Sequence, residues 1–193
     1  MFETLEDVKR DLCDRLISAA KDRKSPMHVP AVVTADVDAR GMVLREFDAA
    51  DWALRFHTDT RAPKVAVVEA DPRVAVLFYD KPAKVQIRVR GTGRILRDGA
   101  MADTAWSSSD NFARRCYLGD GPGTLSDEPT SGLPPEFEGV EPDDMQIIPA
   151  RENFAVLRIE LTHLDWFYLA HTGHVRAQFE KKGGEWEGRW VSP

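Results

Sequence analysis

The sequence predicts a mainly β protein: an antiparallel β-barrel of Greek-key or split type, six to seven strands, with an N-terminal helix. Three observations lead there. Short segments with strand patterning recur along the chain, most of them separated by turn residues. Most connections are too short for the crossovers that parallel strands need. The helical patterns lie at the start or between strands as brief pieces, so a doubly wound sheet lacks its helices. At 193 residues, 42% hydrophobic and 30% charged, the chain fits one domain, 1–193, with an N-terminal helical part over 1–25.

Each element follows from local patterning. Over residues 3–22, Leu5, Val8, Leu12, Leu16 and Ala19/Ala20 recur at helical spacing with charges between them. "KSPMHVP" ends that helix. Ala31–Ala35 and Met42–Phe47 read as strands about a turn, and Trp52–Thr58 as a third. Pro63 opens a short helix over Lys64–Ala70, which "DP" at 71–72 stops. "VAVLFY" at 74–79 is almost wholly apolar, as a central strand is. Lys84–Arg97 is a long strand with a bend or bulge expected at Gly91 and Gly93. Ala100–Trp106 and Asn111–Leu118 are helical. Residues 119–150 hold six prolines, five glycines and eight acids without a Lys or Arg, an acidic loop or extended crossing segment. Asn153–Leu169 returns to strand, and Val175–Phe179 with Glu185–Val191 forms a hairpin across "KKGG".

Charge and cysteines narrow the function. A formal net charge of −6 argues against non-specific nucleic-acid binding, which rests on phosphate neutralisation. No apolar run is of bilayer length, and "MFETLEDVKR" lacks a signal peptide's basic-then-apolar order. Cys13 and Cys116 show no metal or redox spacing, so buried or incidental thiols in a cytoplasmic protein are expected. No histidine spacing suggests a metal site.

Within this acidic chain, Lys81–Arg97 carries six Lys/Arg and no acid. In "KVQIRVRG", Val85, Ile87 and Val89 alternate with Gln86, Arg88 and Arg90, so one face is apolar and the other carries an amide and two guanidiniums. Arg40 and Arg45 bracket "GMVL". "FHTDTRAPK" places His57, Thr58, Arg61 and Lys64 at a helix start, where backbone N–H groups and the dipole attract anions. Lys64 is disfavoured there unless an anion is bound. These residues suit a small phosphate ligand, and Gln86 could serve a ring edge that both donates and accepts.

The order "ARGMVLREFD…RFHTDTRAPK…DPRVAVLFYD…VQIRVRG" resembles the pyridoxamine 5′-phosphate oxidase-like, FMN-binding split-barrel proteins over about residues 28–97. The likeness resumes near Phe154–Arg176 and at "WEGRWVSP". It implies FMN as cofactor, a homodimer with the flavin at the interface, and oxidase-like redox chemistry on a small molecule. Arg40 and Lys64 would contact the FMN phosphate, with Arg45 near the flavin and His57 and Thr58 lining it. Gln86 would address the ring, and Arg88 with Arg90 the ligand phosphate or the other subunit. Trp166 and Arg176, ten residues apart, match a family pair that reaches the ring. The family's Ser-Arg-Lys is Ala62-Pro63-Lys64 here, with Arg61 the candidate replacement. Its substrate-gripping Arg-x-His is Thr172 and His174, and its substrate-phosphate set falls among Trp106, Arg114 and Arg115. The expectation is therefore an FMN-dependent oxidoreductase whose substrate is not pyridoxamine phosphate; a flavin-binding carrier or sensor is the alternative.

Overall fold

The computed structural model describes residues 2–193. Helix α1 (Leu5–Lys21) opens on a capping box: the Asp7 N–H donates to Thr4 Oγ1, and the Asp7 side chain accepts from the Thr4 N–H. Its apolar stripe is buried at Val8, Leu12, Leu16 and Ala19. Nine strands follow: β1 (Ala31–Val33), β2 (Ala39–Gly41), β3 (Leu44–Asp48), β4 (Ala53–Asp59), β5 (Arg73–Asp80), β6 (Val85–Leu96), β7 (Phe154–Tyr168), β8 (Val175–Lys182) and β9 (Glu185–Val191). Helix α2 (Pro63–Ala70) separates β4 from β5, and α3 (Ala100–Ser107) and α4 (Asn111–Arg114) follow β6. The sheet runs β2-β1-β5-β6-β7-β4-β3, with β8 on β7 and β9 on β8. The pairs β1–β2, β1–β5, β3–β4, β5–β6, β7–β8 and β8–β9 are antiparallel.

Nine strands exceed the six or seven expected. The expected turn before the Met42–Phe47 strand contains a further short strand, Ala39–Gly41, and the expected strand itself begins later, as Leu44–Asp48. Arg45 is an extra residue there, because the β3–β4 register shifts between Leu44 and Glu46. In the β5–β6 pairing no register shift falls at Gly91, since the two strands stay in register from Val85 to Thr92. Gly91 serves close approach instead: a Cβ there would lie 2.1 Å from the Glu160 carbonyl oxygen of β7.

The chain divides into two compact units. The first comprises the chain up to Phe56, Asp71–Gly93 and Arg158–Pro193. In it α1 lies against β3 and β9, and Asp11 accepts from both Arg15 Nε (2.8 Å) and the Trp166 indole (2.8 Å). The second comprises His57–Ala70 and Arg94–Leu157. Its core joins Ala105, Phe154 and Val156, with Leu96, Met101, Trp106 and Tyr117 packed on them.

The acidic 119–150 segment belongs to the second unit. It contains 3-10 turns at Pro135–Phe137 and Ile148–Asn153. Its neck closes where Asp120 N–H donates to Gly132 O at 2.8 Å. Asp144 and Glu141 hold it to Asn111 Nδ2 (2.8 Å) and the Phe112 N–H (3.3 Å) of α4. Cys116 is exposed rather than buried, because it sits on a 3-10 turn, Arg115–Tyr117, beside that loop. No described helix is long and apolar enough to cross a membrane.

Candidate functional site

Alternation along the strands of the first unit produces one polar sheet face. On β6, Val85, Ile87 and Val89 are buried while Gln86 is half-buried and Arg88 and Arg90 are exposed. Opposite them on β5 stand Tyr79, Leu77 and Ala75, paired with Gln86, Arg88 and Arg90. On β7 and β8 the rows continue as Asp165 opposite Gln178 and His163 opposite Glu180.

The centre of this face is Asp165, which is 4% exposed. Its Oδ2 accepts from Arg88 Nη2 (2.7 Å), Arg176 Nη2 (2.7 Å) and Gln178 Nε2 (2.9 Å). Its Oδ1 accepts from Arg176 Nε at 3.1 Å. Burial by itself would raise the carboxyl's pKa; the Arg176 and Gln178 hydrogen bonds and the Arg88 and Arg176 charges outweigh it, so the pKa is lowered. The hydrogen bond to Asp165 raises the pKa of Arg176 in turn. Two arginines are thereby held side by side at the floor of a recess of about 370 Å³ lined also by Val33, Ala75, Leu77 and Arg90. The fixed guanidiniums can still meet an anion or a ring carbonyl with donors that Asp165 leaves unused.

Arg88 and Arg176, 88 positions apart in the chain, are thus brought together. Trp166 does not join them. It is fully buried, on the opposite face of β7, with its indole spent on Asp11. The residue in register with Arg176 is Phe167, so the ten-residue spacing selected the wrong neighbour: a strand shows every second residue to one face. Phe167 in turn packs edge-on against His174, 5.5 Å between ring centres; His174 and Thr172 are exposed. Asp165 itself went unread, although an acid inside "HLDWFY" was a signal: an acid in a buried strand needs partners. Arg40 of β2 donates to Thr34 Oγ1 (2.8 Å) and pairs with Asp38. Arg45 is exposed on its bulge, where the extra residue re-aims the side chain.

In the second unit, Thr58 is buried, its Oγ1 donating to Asp59 O at 3.3 Å. His57 meets Phe154 edge-on at 5.0 Å. Lys64 stands in the first turn of α2, a turn without an acid. Arg61 is committed within the chain: Nε and Nη2 donate to Asp59 (3.0 and 2.7 Å) and Nη1 to Gly119 O (2.9 Å). The hydrogen bond to Asp59 raises its pKa. Gly121 crowds Arg61, since a Cβ there would lie 3.2 Å from the Arg61 Cβ. Arg114 has its Nε and Nη2 on Trp106 O (2.9 and 2.7 Å) and Nη1 on Asn111 (2.9 Å). Arg115 covers the Phe112 ring at 3.5 Å. Trp106 packs on the core cluster.

A nine-stranded, largely antiparallel sheet after an N-terminal helix is the architecture of split-barrel proteins. Residues 12–97 match the family model described as pyridoxamine 5′-phosphate oxidase, FMN-binding domain. The pyridoxine/pyridoxamine 5′-phosphate oxidase of Caulobacter vibrioides is 36% identical over 103 residues, 50% of this chain and 44% of that protein. The chain thus spans a little under half the length of the curated relatives it matches. A pyridoxamine 5′-phosphate oxidase-related, FMN-binding protein from Nostoc punctiforme shares the fold, with a TM-score of 0.74, 21% identity and coverage of 95% of this chain and 97% of that one. PhzG from Burkholderia lata, solved with tetrahydrophenazine-1-carboxylic acid, gives a TM-score of 0.66 at 17% identity, covering 96% and 90%. Residues 12–97 thus resemble the FMN-binding domain of the pyridoxamine 5′-phosphate oxidases, and the chain as a whole has the split-barrel fold of its structural neighbours.

Proposed function

We propose that this protein binds FMN and is an FMN-dependent oxidoreductase acting on a small molecule other than pyridoxamine 5′-phosphate. The observation that carries the reading is the FMN-binding family match over residues 12–97, a span that contains Arg40, Arg45, His57, Thr58, Arg61, Lys64, Gln86 and Arg88.

The side chains fit the cofactor's two demands. Lys64, in a helix turn without a carboxylate, suits the phosphate. Gln86 offers a half-buried amide on an open strand face and suits a ring edge. Arg88 and Arg176, oriented by Asp165, supply fixed positive charge. Bound flavin would contribute the redox chemistry; the chain would bind, orient and tune. Exposed Leu77 and Tyr79 beside Gln86 and Arg88 support a homodimer that covers this face. Against pyridoxamine phosphate stands the engagement of Arg114 with the chain's own backbone and the Thr172 that replaces an arginine.

The test is an absorption spectrum of the purified protein titrated with FMN, followed by reduction with NAD(P)H. Stoichiometric binding with turnover supports the reading. Binding without reduction by any donor would favour a carrier, and no binding would overturn it. Lys64→Ala should weaken FMN about tenfold and spare riboflavin, the loss expected of one charge-assisted contact. Gln86→Leu should alter the spectrum or potential of bound flavin while the fold survives.

A further inference from the structure

The acidic segment of the second unit opens with a loop, Asp120–Gly132, that is drawn shut at its neck. The Asp120 N–H donates to Gly132 O at 2.8 Å. Gly119 approaches that carbonyl so closely that a Cβ there would stand 2.3 Å from the oxygen, and Gly132 takes a φ of +70°, which side chains disfavour. The neck is therefore fixed, and the chain it encloses is not. None of residues 121–131 is buried, and Leu125 is 97% exposed. The loop surrounds a hollow of about 290 Å³ lined by its own residues. A loop without a buried core belongs to the low-stability end of a fold, from which moving elements are drawn.

The loop rests on the start of α2. A Cβ at Gly121 would lie 3.2 Å from Arg61 Cβ, and one at Gly123 would lie 3.5 Å from Cγ of Pro63, the first residue of α2. Arg61 anchors the neck to the same place. Its Nε and Nη2 hold Asp59, which is 6% exposed, and its Nη1 donates to Gly119 O at 2.9 Å. Lys64 is the next residue after Pro63. The loop carries Asp120, Asp127 and Glu128 and no Lys or Arg. Its carboxylates cannot contact an anion held at that helix start, so the loop is built to cover such a ligand rather than to grip it.

We propose that Asp120–Gly132 is a lid over the start of α2, hinged at the neck that Arg61 anchors, and that its opening gates exchange of the phosphate end of FMN. The inference rests on the flavin reading for the identity of the ligand. A lid that covers without contacting slows entry and exit alike and leaves the affinity unchanged. With the open state populated at about 10% or less, removing the lid should speed both rates by about tenfold or more.

The test is stopped-flow association of FMN with the full chain, read by flavin fluorescence, together with dissociation on dilution. In one variant a Gly-Gly link replaces residues 124–130 and keeps the neck. In a second, Gly121→Val pushes the loop off Arg61 with a single side chain, and it decides the matter if the shortened chain does not fold. Association and dissociation should rise together, with Kd within roughly twofold of wild type, as gating of both directions requires, and with circular dichroism unchanged. Met145→Ala, in the acidic segment but outside the loop, should change neither rate. Unchanged rates in both variants would overturn the lid and leave the flavin reading standing. So would faster dissociation alone, which marks a ligand contact, or faster association alone, which marks only the lost charges of Asp127 and Glu128. FMN binding by neither wild type nor variants would overturn both readings, whereas binding by the shortened chain alone would support a lid that stays closed.

Discussion

Asp165 shows how much one residue decides. Its carboxylate is nearly excluded from water yet remains ionised because Arg88, Arg176 and Gln178 converge on it. Asp165→Asn keeps the shape and removes the charge. A buried pair broken on one side costs about 3–5 kcal/mol; Arg88 and Arg176 retain access to water, 46% and 22% exposed, so about 2 kcal/mol is expected in urea unfolding. The pH dependence has a definite sign. The folded pKa lies below the ordinary 3.8, so the stabilisation is complete above the unfolded value and is lost as pH falls through the folded one. The gap between wild type and Asp165→Asn should be constant from pH 7 to 5 and close below pH 4. Trp166→Phe separates packing from ligand roles: losing the indole bond to Asp11 should cost about 1–2 kcal/mol and leave flavin affinity unchanged. A drop in affinity without a drop in stability would reverse that assignment.

Among the elements, β6 is the one on which fold and site meet. Its alternation was legible because period two is a local property, and the buried Val85, Ile87 and Val89 follow it. The meaning of Gly91 was not legible, because the carbonyl that excludes a side chain comes from Glu160, 69 positions later. Gly91→Ala should destabilise by about 3 kcal/mol, since backbone rather than a flexible side chain must move; a melting temperature within a degree of wild type would show that β7 yields. Helix α1 was readable from its apolar stripe. The bulge at Arg45 was not, since it exists only in the pairing of β3 with β4. The acidic segment was recognised by composition, but its anchoring on α4 depends on Asp144 and Glu141 meeting residues about thirty positions earlier.

For the whole molecule, a net charge of −6 coexists with a cationic sheet face, because strand alternation places Arg88, Arg90 and Arg176 on one side and most of the acids lie away from it. Such a field favours small anionic ligands over polyanions. A ligand that binds only the folded chain stabilises it by mass action, about 2.7 kcal/mol at a hundredfold excess over Kd. FMN at that excess should therefore raise the melting temperature by roughly 5–10 °C for a chain of this size. An unchanged melting curve at saturating FMN would contradict the flavin reading.

The fold class, the helix at the start, most strand positions and the family resemblance were legible in the sequence, because periodicity, turn residues and ordered short motifs are local. Tertiary structure decided which arginines share a carboxylate, that Trp166 is core while Phe167 faces Arg176, and that Arg61 is spent on Asp59. Those facts depend on strand register and on partners tens of residues away. A shift of one residue in register turns a side chain from solvent to core, and a list of neighbours along the chain does not contain that information.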